Sequence, residues 1–420
     1  MNSSKKFVGL GLVVTINLVL QFLFQWYIIT SLGAGVETDA LFGTMALPQF
    51  ILVVLSGSLT MVLIPLIAKY TNNEFLEESW NYFQGVGLLF TVVGLLLLIS
   101  AEWWVSWILP GFKGVNHQLA LNLARIQVLG MIFSALLSVV WAIHSAKNNF
   151  FKIEYTSIVA NIIAFILVIL FIKTLGIYAV AWVSVLRVAL QVLFLIKIMG
   201  VYRRPNFKSP SFKEAWGKLR PLIAGNAYYK TDVLVDRYLT SKGASGELTL
   251  LNLAQQIFVT ANSILVKVLV NTMVPEMAIA NATGDEKRYN QILRKRLIIS
   301  FVSITITFVA MLLIGHCVLS FIFSFKKFTT DDVHKLWWLL VLLAGYLIGG
   351  LIGSVTSASF YAKGDTVTPT KIGAVLFTIY IPVKILCYLK FGISGLAISI
   401  SIYYVISFVV QLFFLRKHLI

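Results

Sequence analysis

Long apolar segments alternate with short polar ones along the whole chain. Twelve segments of about 18 residues or more are predominantly apolar, and a helix of that length crosses a hydrocarbon core of about 30 Å. The predicted spans cover residues 7–30, 39–66, 83–101, 119–145, 153–173, 177–197, 219–240, 247–276, 297–324, 336–360, 368–389 and 393–415. With 59% apolar and 12% charged residues, the composition excludes a soluble globular protein. The pattern predicts an all-α polytopic membrane protein.

The second half of the sequence repeats the first at an offset of 210 residues. Residues 30–37 (TSLGAGVE) align without a gap on residues 240–247 (TSKGASGE). Further pairs at this offset, and at a six-residue slip later in the chain, are Ile64-Pro65 with Val274-Pro275, Ala146-Lys147 with Ala362-Lys363, and Gly176-Ile177 with Gly392-Ile393. A repeat of this length in an apolar chain is typical of transporters that are built from two copies of one membrane unit.

The repeat predicts three regions in the chain. Residues 1–197 form one six-helix bundle, residues 198–218 form a basic cytoplasmic linker, and residues 219–420 form the second six-helix bundle. Because each copy has an even number of spans, both enter the membrane from the same side. We therefore expect a pseudo-two-fold axis along the membrane normal, as in parallel repeats, and alternating access by rocking of one bundle against the other.

The net charge of +17 is distributed as in a membrane protein rather than in a nucleic-acid-binding protein. Most lysines and arginines fall on segments that lie on one side of the predicted spans. The largest clusters are Arg203, Arg204, Lys208, Lys213, Lys218 and Arg220, and then Arg294, Lys295 and Arg296. This positive-inside bias predicts that both termini are cytoplasmic, with anionic membrane lipids as an additional partner of the basic loops. No nucleic-acid partner is expected.

Eight charged residues fall well inside predicted spans. They are Arg125, Arg187, Lys230, Arg237, Lys267, Lys384, Asp232 and Asp236. A charge near the bilayer centre costs about 2.5–3.5 kcal/mol on insertion scales, so each needs a partner or a wet cavity. Since six of the eight are basic, they cannot all be neutralised by pairing with one another. The imbalance predicts a net positive cavity for an anionic substrate that is held by charge-assisted bonds.

The seventh span is the most highly charged of the twelve. As one continuous helix it places Lys230 and Arg237 on one face and Asp232 and Asp236 on another. The basic face is assigned to substrate. The acidic face is assigned to a coupling ion, Na⁺ or H⁺, or to a charge pair with Lys384. Two alternatives stay open: all four residues form interhelical salt bridges, or Arg237, like Arg125, extends its side chain to the interface.

Residues for covalent or metal chemistry are not found in a recognisable arrangement. The two cysteines and five histidines are scattered without the spacing of metal ligands, and no phosphate-binding Gly-Lys-Ser/Thr loop is present. The sequence therefore predicts no catalytic residue, no metal site and no cofactor.

Several segments of both halves resemble one transporter family. They are Gly33-Ala34-Gly35-Val36-Glu37-Thr38-Asp39-Ala40-Leu41-Phe42, then Leu47-Pro48, Ile64-Pro65, Asp232-Val233-Leu234-Val235-Asp236, Leu251-Asn252-Leu253-Ala254 and Phe360-Tyr361-Ala362-Lys363-Gly364-Asp365-Thr366-Val367-Thr368-Pro369. These segments are similar to signatures of the MurJ/MviN lipid II flippases. That family belongs to the multidrug/oligosaccharidyl-lipid/polysaccharide (MOP) exporter superfamily, together with the Wzx polysaccharide flippases and the MATE drug exporters.

The resemblance implies outward flipping of an undecaprenyl-pyrophosphate-linked glycan across the bacterial inner membrane. It also implies arginines in spans 1, 2 and 8, where this chain has Leu18, Phe24, Val53 and Gln256. The family typically has fourteen spans, and twelve are predicted here. Both departures favour a Wzx-type flippase. The resemblance further implies that Asp236 matches an acidic position that binds sodium in some relatives, and that Lys384 stands where those relatives have Asn or Asp.

Three hypotheses follow. The first is a monomeric flippase for a polyprenyl-pyrophosphate-linked glycan, either a Wzx-type repeat unit or lipid II, with its pyrophosphate on Lys230, Lys267, Arg187 or Lys384. The second is a MATE-type exporter of cationic drugs, against which the basic excess speaks. The third is a membrane glycan polymerase or ligase, which requires larger outer loops than the longest one predicted here, at about residues 102–118.

Overall fold

The computed structural model describes residues 3–270, 272–365 and 367–417, and every regular element in these ranges is helical. Contacts divide the chain into two compact units, residues 1–245 and residues 246–420. A wholly helical backbone is expected, because a helix satisfies its own amide and carbonyl groups where the hydrocarbon offers no partner. The predicted all-α fold is therefore confirmed.

The amino-terminal unit is organised around one long central helix. Its helices are α1 (Ser3–Leu32), α2 (Val36–Thr44), α3 (Ala46–Ala68), α4 (Asn72–Ile99), α5 (Ala101–Ile108), α6 (Val115–Ala146), α7 (Phe150–Leu175), α8 (Ile177–Leu195), α9 (Pro210–Lys230) and α10 (Asp232–Thr240). Helix α6 packs against α2, α3, α4, α5 and α8. Small buried side chains such as Ala124, Ala135 and Ala142 let these neighbours approach it closely.

The predicted basic linker is fastened to helix α4 of this unit. The Trp80 indole donates to the carbonyl of Met199 at 3.0 Å, and the Gln84 amide donates to the carbonyl of Arg203 at 2.9 Å. Arg203 in turn forms a salt bridge with Glu77 at 2.5 Å. The side chain of Arg220, in the same predicted cluster, lies outside the described part of the chain.

Helices α9 and α10 also belong to the amino-terminal unit by their contacts. Helix α9 packs against α3 and α4, and α10 packs against α3 and α5. The contacts therefore divide the chain after Ser245, whereas the repeat divides it at residues 198–218. The bundles of residues 1–197 and 219–420 remain a prediction about the repeat.

The carboxy-terminal unit contains six helices in its described residues. They are α11 (Glu247–Leu269), α12 (Met273–Ala282), α13 (Glu286–Phe323), α14 (Thr330–Leu342), α15 (Ala344–Ala362) and α16 (Val367–Lys417). Helices α15 and α16 pack closely because glycines face α16. A Cβ atom on Gly345 would lie 2.7 Å from Ser401, and one on Gly349 would collide with the carbonyl of Tyr404.

The described helices account for all twelve predicted spans, although they form fewer than twelve separate apolar helices. Nine described helices are long and apolar enough to cross a membrane, and the bent pair α14–α15 is a tenth. Helix α16 contains two predicted spans, 368–389 and 393–415, because it continues through a break at Gly392. The seventh predicted span corresponds to α9 and α10. Four charged residues between positions 230 and 237 make this pair too polar to be counted.

The repeat is visible in the local backbone of the two units. Gly176 ends α7 with φ 55° and ψ −133°, and Gly392 breaks α16 with φ 59° and ψ −144°. Likewise, Asn148 and Gly364 follow α6 and α15 with φ of 56° and 78°. Each pair is separated by 216 residues, which is the predicted offset of 210 plus the six-residue slip. The two copies therefore turn the chain in the same way at the same positions.

The break at Gly392 should require glycine. We expect Gly392→Ala to lower the free energy of unfolding by about 1–3 kcal/mol, because a Cβ atom is strained at this φ and ψ. A Cβ atom would meet nothing within 4 Å at either Gly392 or Gly217, which lies inside α9, so Gly217→Ala is a matched control without the backbone strain. Thermal unfolding of the purified variants measures the difference. Equal midpoints for Gly392→Ala and Gly217→Ala would contradict the interpretation.

Candidate substrate site

The predicted basic residues of the amino-terminal unit lie in different environments. Arg125 on α6 is exposed, and Lys230 is exposed as the last residue of α9. Arg187 on α8 is partly buried, and Arg237 on α10 is buried with 6% of its surface exposed. Two of the four basic side chains are therefore exposed and two are partly or fully buried. The charge pattern of the sequence groups all four as candidate ligands of one substrate.

Arg187 is held by one polar and one aromatic contact. Its Nη1 donates to the Oδ1 atom of Asn161 at 3.3 Å, and its guanidinium lies 5.3 Å from the ring centroid of Phe24. Such a cation–π contact stabilises a guanidinium that has little access to water. The Nε atom of Arg187 is buried and has no hydrogen-bond partner among the described residues. Arg187 therefore keeps donor capacity for a further acceptor.

Asn161 belongs to a buried polar network that joins α1 to α7. Asn17 of α1 donates to Glu154 at 2.8 Å and to Ser157 at 2.9 Å. Asn161 donates to the Oδ1 atom of Asn17 at 2.6 Å, and the Oδ1 atom of Asn161 accepts from Arg187. The network thus runs from the Glu154 carboxylate to the Arg187 guanidinium across three helices.

This network positions Arg187. The sequence-based prediction does not include the network, because it rests only on the charged residues well inside the spans. A buried polar group without a partner costs about 1–3 kcal/mol, so the two asparagines constrain the orientation of α1, α7 and α8. In the sequence, Asn161 is the one amide of its predicted span. Asn17, however, shares its span with Gln21 and Gln25. Composition alone therefore does not identify the pair that holds Arg187.

Arg237 lies among carboxylates rather than at an exposed interface. Asp236, with 2% of its surface exposed, and Asp39 of α2, with 5%, both attract the Arg237 guanidinium electrostatically. A buried arginine is stabilised by such neighbours, and removal of either carboxylate would leave excess positive charge. Arg237 is therefore a buried side chain beside two carboxylates, and the interhelical salt bridge remains a prediction.

The predicted basic face of the seventh span is not continuous. Helix α9 ends at Lys230 and α10 begins at Asp232, with Thr231 between them. Lys230 is exposed, whereas Arg237 is buried, so the two do not share one environment. The two acidic residues differ as well, since Asp232 is only partly buried and Asp236 is almost fully buried. The sequence places each pair on one helix face, whereas the structure gives the two members of each pair different degrees of burial.

In the carboxy-terminal unit the two candidate lysines also differ. Lys384 of α16 is fully buried, and its ammonium lies 5.1 Å from the ring centroid of Tyr380. The Tyr380 ring stacks on Tyr403 at a centroid distance of 4.3 Å, so the ammonium lies beside an aromatic stack. Lys267 on α11 is exposed. Lys384 is thus built into the unit, and Lys267 is available at its surface.

Most of the chain matches a known protein family. A family model described as lipid II flippase MurJ matches residues 28–420. A lipid II flippase MurJ from Burkholderia cenocepacia is 20% identical over 399 residues, which cover 88% of this chain and 75% of that protein. A probable lipid II flippase MurJ from Buchnera aphidicola subsp. Acyrthosiphon pisum is 25% identical over 419 residues, covering 96% of this chain and 81% of that protein.

Solved structures show the same fold. A lipid II flippase MurJ in an inward closed conformation superposes with a TM-score of 0.83 at 19% identity, covering 97% of this chain and 87% of that chain. An inward-facing multidrug resistance MATE family transporter of the MOP superfamily superposes with a TM-score of 0.75 at 16% identity. The superposition covers 96% of this chain and 98% of that chain. These matches confirm the predicted MOP-type transporter fold.

Proposed function

Because the chain belongs to the lipid II flippase MurJ family, we propose that it moves an undecaprenyl-pyrophosphate-linked glycan from the cytoplasmic to the outer leaflet. Family membership makes the chain a flippase, a transporter rather than an enzyme, and a multi-pass protein of the bacterial inner membrane. Lipid II is the first candidate substrate. We further propose a monomer with both termini in the cytoplasm, as the positive-inside bias indicates.

The observation that carries the proposal is the match to the flippase family over residues 28–420. The charge of the predicted spans fits an anionic substrate, since six basic residues accompany only two acidic ones. Pyrophosphate offers several oxygen acceptors to lysine and arginine donors, and such charge-assisted bonds are about twice as strong as neutral ones. The exposed residues Lys230 and Lys267 are available to a ligand, and Arg187 keeps a buried donor.

Arg187 has a specific place in this proposal. The family resemblance implies an arginine in span 1, where this chain has Phe24. The Arg187 guanidinium lies over the ring of that same Phe24, at 5.3 Å from its centroid. We therefore propose that α8 supplies, through Arg187, the positive charge that α1 lacks, and that the asparagine network holds it there.

A Wzx-type polysaccharide unit is the second candidate substrate. The observation that favours it is the absence of arginine at Leu18, Val53 and Gln256, where the family resemblance implies that residue. Both substrates carry the same polyprenyl pyrophosphate, so the basic residues serve either one. Transport of cationic drugs would require an acidic lining instead, and the likeness to a MATE transporter concerns the fold alone.

We propose two alternative roles for Asp232 and Asp236: they bind a coupling ion, Na⁺ or H⁺, or they form charge pairs. Asp236 attracts Arg237, so we propose a charge-pair role for Asp236 in which the guanidinium provides the neighbouring positive charge. Lys384 provides a second resident cation in the carboxy-terminal unit. No cofactor is proposed.

Replacement of the exposed lysines should abolish export. We expect Lys230→Ala and Lys267→Ala each to prevent complementation of a flippase-deficient strain, because each removes a charge-assisted contact to pyrophosphate. Tests in strains that lack a lipid II flippase and in strains that lack a Wzx flippase identify the glycan. Lys173→Ala, an exposed lysine of α7, is the control and should complement normally. Normal export from both site variants, with normal membrane insertion, would exclude the assigned roles.

The role of the Arg187 charge can be tested by moving the arginine from position 187 to position 24. We expect Arg187→Leu to lower the export rate by about 10- to 100-fold, as for loss of a hydrogen bond to a charged group. Phe24→Arg in that background should restore export in part, because it returns a guanidinium to the same region. Phe24→Leu with Arg187 intact is the control for the lost ring. Unchanged export by Arg187→Leu would refute the role, and failure of a well-inserted double variant to recover would refute the compensation.

A further inference from the structure

A large apolar groove opens on the surface of the amino-terminal unit, away from the Asn17–Arg187 network. It lies between α3, α4 and α9, has a volume of about 380 Å³, and is lined by residues that include Leu59, Leu63, Tyr82, Phe90, Phe212 and Leu219. Its lining residue Leu88 has 58% of its surface exposed, so the groove is accessible from outside the unit. Membrane-spanning helices normally expose apolar side chains to lipid, and the concave shape of this surface gives room for one chain of an apolar ligand.

The groove has a fixed wall, because the start of α9 packs tightly on α4. A Cβ atom on Gly85 would lie 2.6 Å from the Phe212 ring, so a larger residue there would displace the ring from its present position. Phe212 also stacks on Tyr82 with a centroid distance of 6.3 Å. The first turns of α9, which follow the fastened linker, are therefore held as one side of a preformed groove.

The depth of the groove corresponds to one leaflet. Its lining on α4 runs from Tyr82 to Val92, a step of ten residues and about 15 Å of helix. The hydrocarbon core is about 30 Å thick, so the groove spans half of it. It begins at the end of α4 that carries the basic linker, which the proposed orientation places in the cytoplasm. An acyl chain of a phospholipid in that leaflet has the matching length, whereas an undecaprenyl chain is much longer.

Three lysines, which we call the rim lysines, lie near groove residues. On the first turns of α9, Lys213 follows the lining residue Phe212, and Lys218 precedes the lining residue Leu219. Lys69 follows α3 and is close enough to a carboxylate of α9 to attract it. All three lysines are exposed.

Two carboxylates offset part of this positive charge. Lys218 donates to Glu214 at 2.5 Å, and this bond, with attraction from Lys69, lowers the pKa of the Glu214 carboxyl. The carboxylate therefore stays charged at neutral pH and neutralises one of the three lysines. Glu78 of α4, which accepts from the Ser209 hydroxyl at 3.4 Å, lies beside the start of α9 as well, so these three lysines and two carboxylates have a net charge of +1.

From this combination we propose that the α3–α4–α9 groove binds an anionic phospholipid of the cytoplasmic leaflet, with an acyl chain in the groove and the phosphate among Lys69, Lys213 and Lys218. Basic pockets between helices on the cytoplasmic side are suited to anionic head groups. Occupancy would hold the start of α9 against α3 and α4, since all three helices line the groove. The site is separate from the Arg187 network and does not depend on which glycan is transported.

Photocrosslinking tests this site directly in the full chain. The purified protein is placed in phosphatidylcholine nanodiscs that contain a small fraction of phosphatidylglycerol or of phosphatidylcholine with the same photoreactive acyl chain. We expect phosphatidylglycerol to label peptides that contain residues 82–92 or 212–219 about tenfold more than phosphatidylcholine does, from the attraction of the rim lysines. Replacement of Lys69, Lys213 and Lys218 by Gln should bring the ratio close to one.

A pair of tryptophan substitutions on α4 tests the location. Leu88→Trp fills the groove from an exposed position and should reduce the labelling, whereas Leu96→Trp, with 61% exposure and outside the groove, should not. Equal labelling of the wild-type groove by the two lipids would overturn the proposal, and this comparison needs no variant. Displacement of the label by undecaprenyl pyrophosphate, but not by unlabelled phosphatidylglycerol, would also overturn it, because the groove would then hold the substrate chain.

Discussion

Hydrocarbon cannot solvate a polar group, and this constraint determines which side chains of the chain must have partners. The backbone meets it by forming helices throughout the described residues. The side chains meet it in local groups: Asn17 with Glu154, Ser157 and Asn161, Arg237 with Asp236 and Asp39, and Lys384 with Tyr380. The first two groups join different helices of the amino-terminal unit, and separation of the partners would leave buried polar atoms unsatisfied. Lys384 and Tyr380 lie on the same helix, α16, and the ring stabilises the buried ammonium locally.

The two copies of the repeat share backbone geometry but not chemistry. Gly176 and Gly392 turn the chain in nearly the same way, 216 residues apart. The helices that correspond to span 1 and span 7 differ, since α1 is continuous and carries Asn17, whereas α9 ends and α10 begins on either side of Thr231, with four charged residues at positions 230–237. Duplication therefore accounts for the fold, and the residues that distinguish the copies account for the proposed substrate chemistry.

The sequence predicted what depends on local composition. Apolar length predicted the helices, and the predicted spans end before and begin after the aligned residues Gly176 and Gly392, where the structure has glycines with positive φ. Tertiary packing could not be predicted in this way. The sequence marked residues 198–218 as a linker, but Trp80 and Gln84 fasten it to α4 through backbone carbonyls, which leave no pattern in the sequence. Burial of Arg237 and exposure of Lys230, seven residues apart, likewise depend on which neighbouring helices pack around each residue.

Recognition of a lipid-linked pyrophosphate by the basic residues of the spans is the central proposal. It can be measured by the flipping of a fluorescent polyprenyl-pyrophosphate-linked glycan in proteoliposomes that contain the purified chain. Undecaprenyl pyrophosphate and undecaprenol, added at equal concentration, present the same chain with and without the anionic group. We expect undecaprenyl pyrophosphate to inhibit flipping and undecaprenol to leave it unchanged. Equal inhibition by both, or inhibition by a lipophilic cation instead, would contradict this recognition.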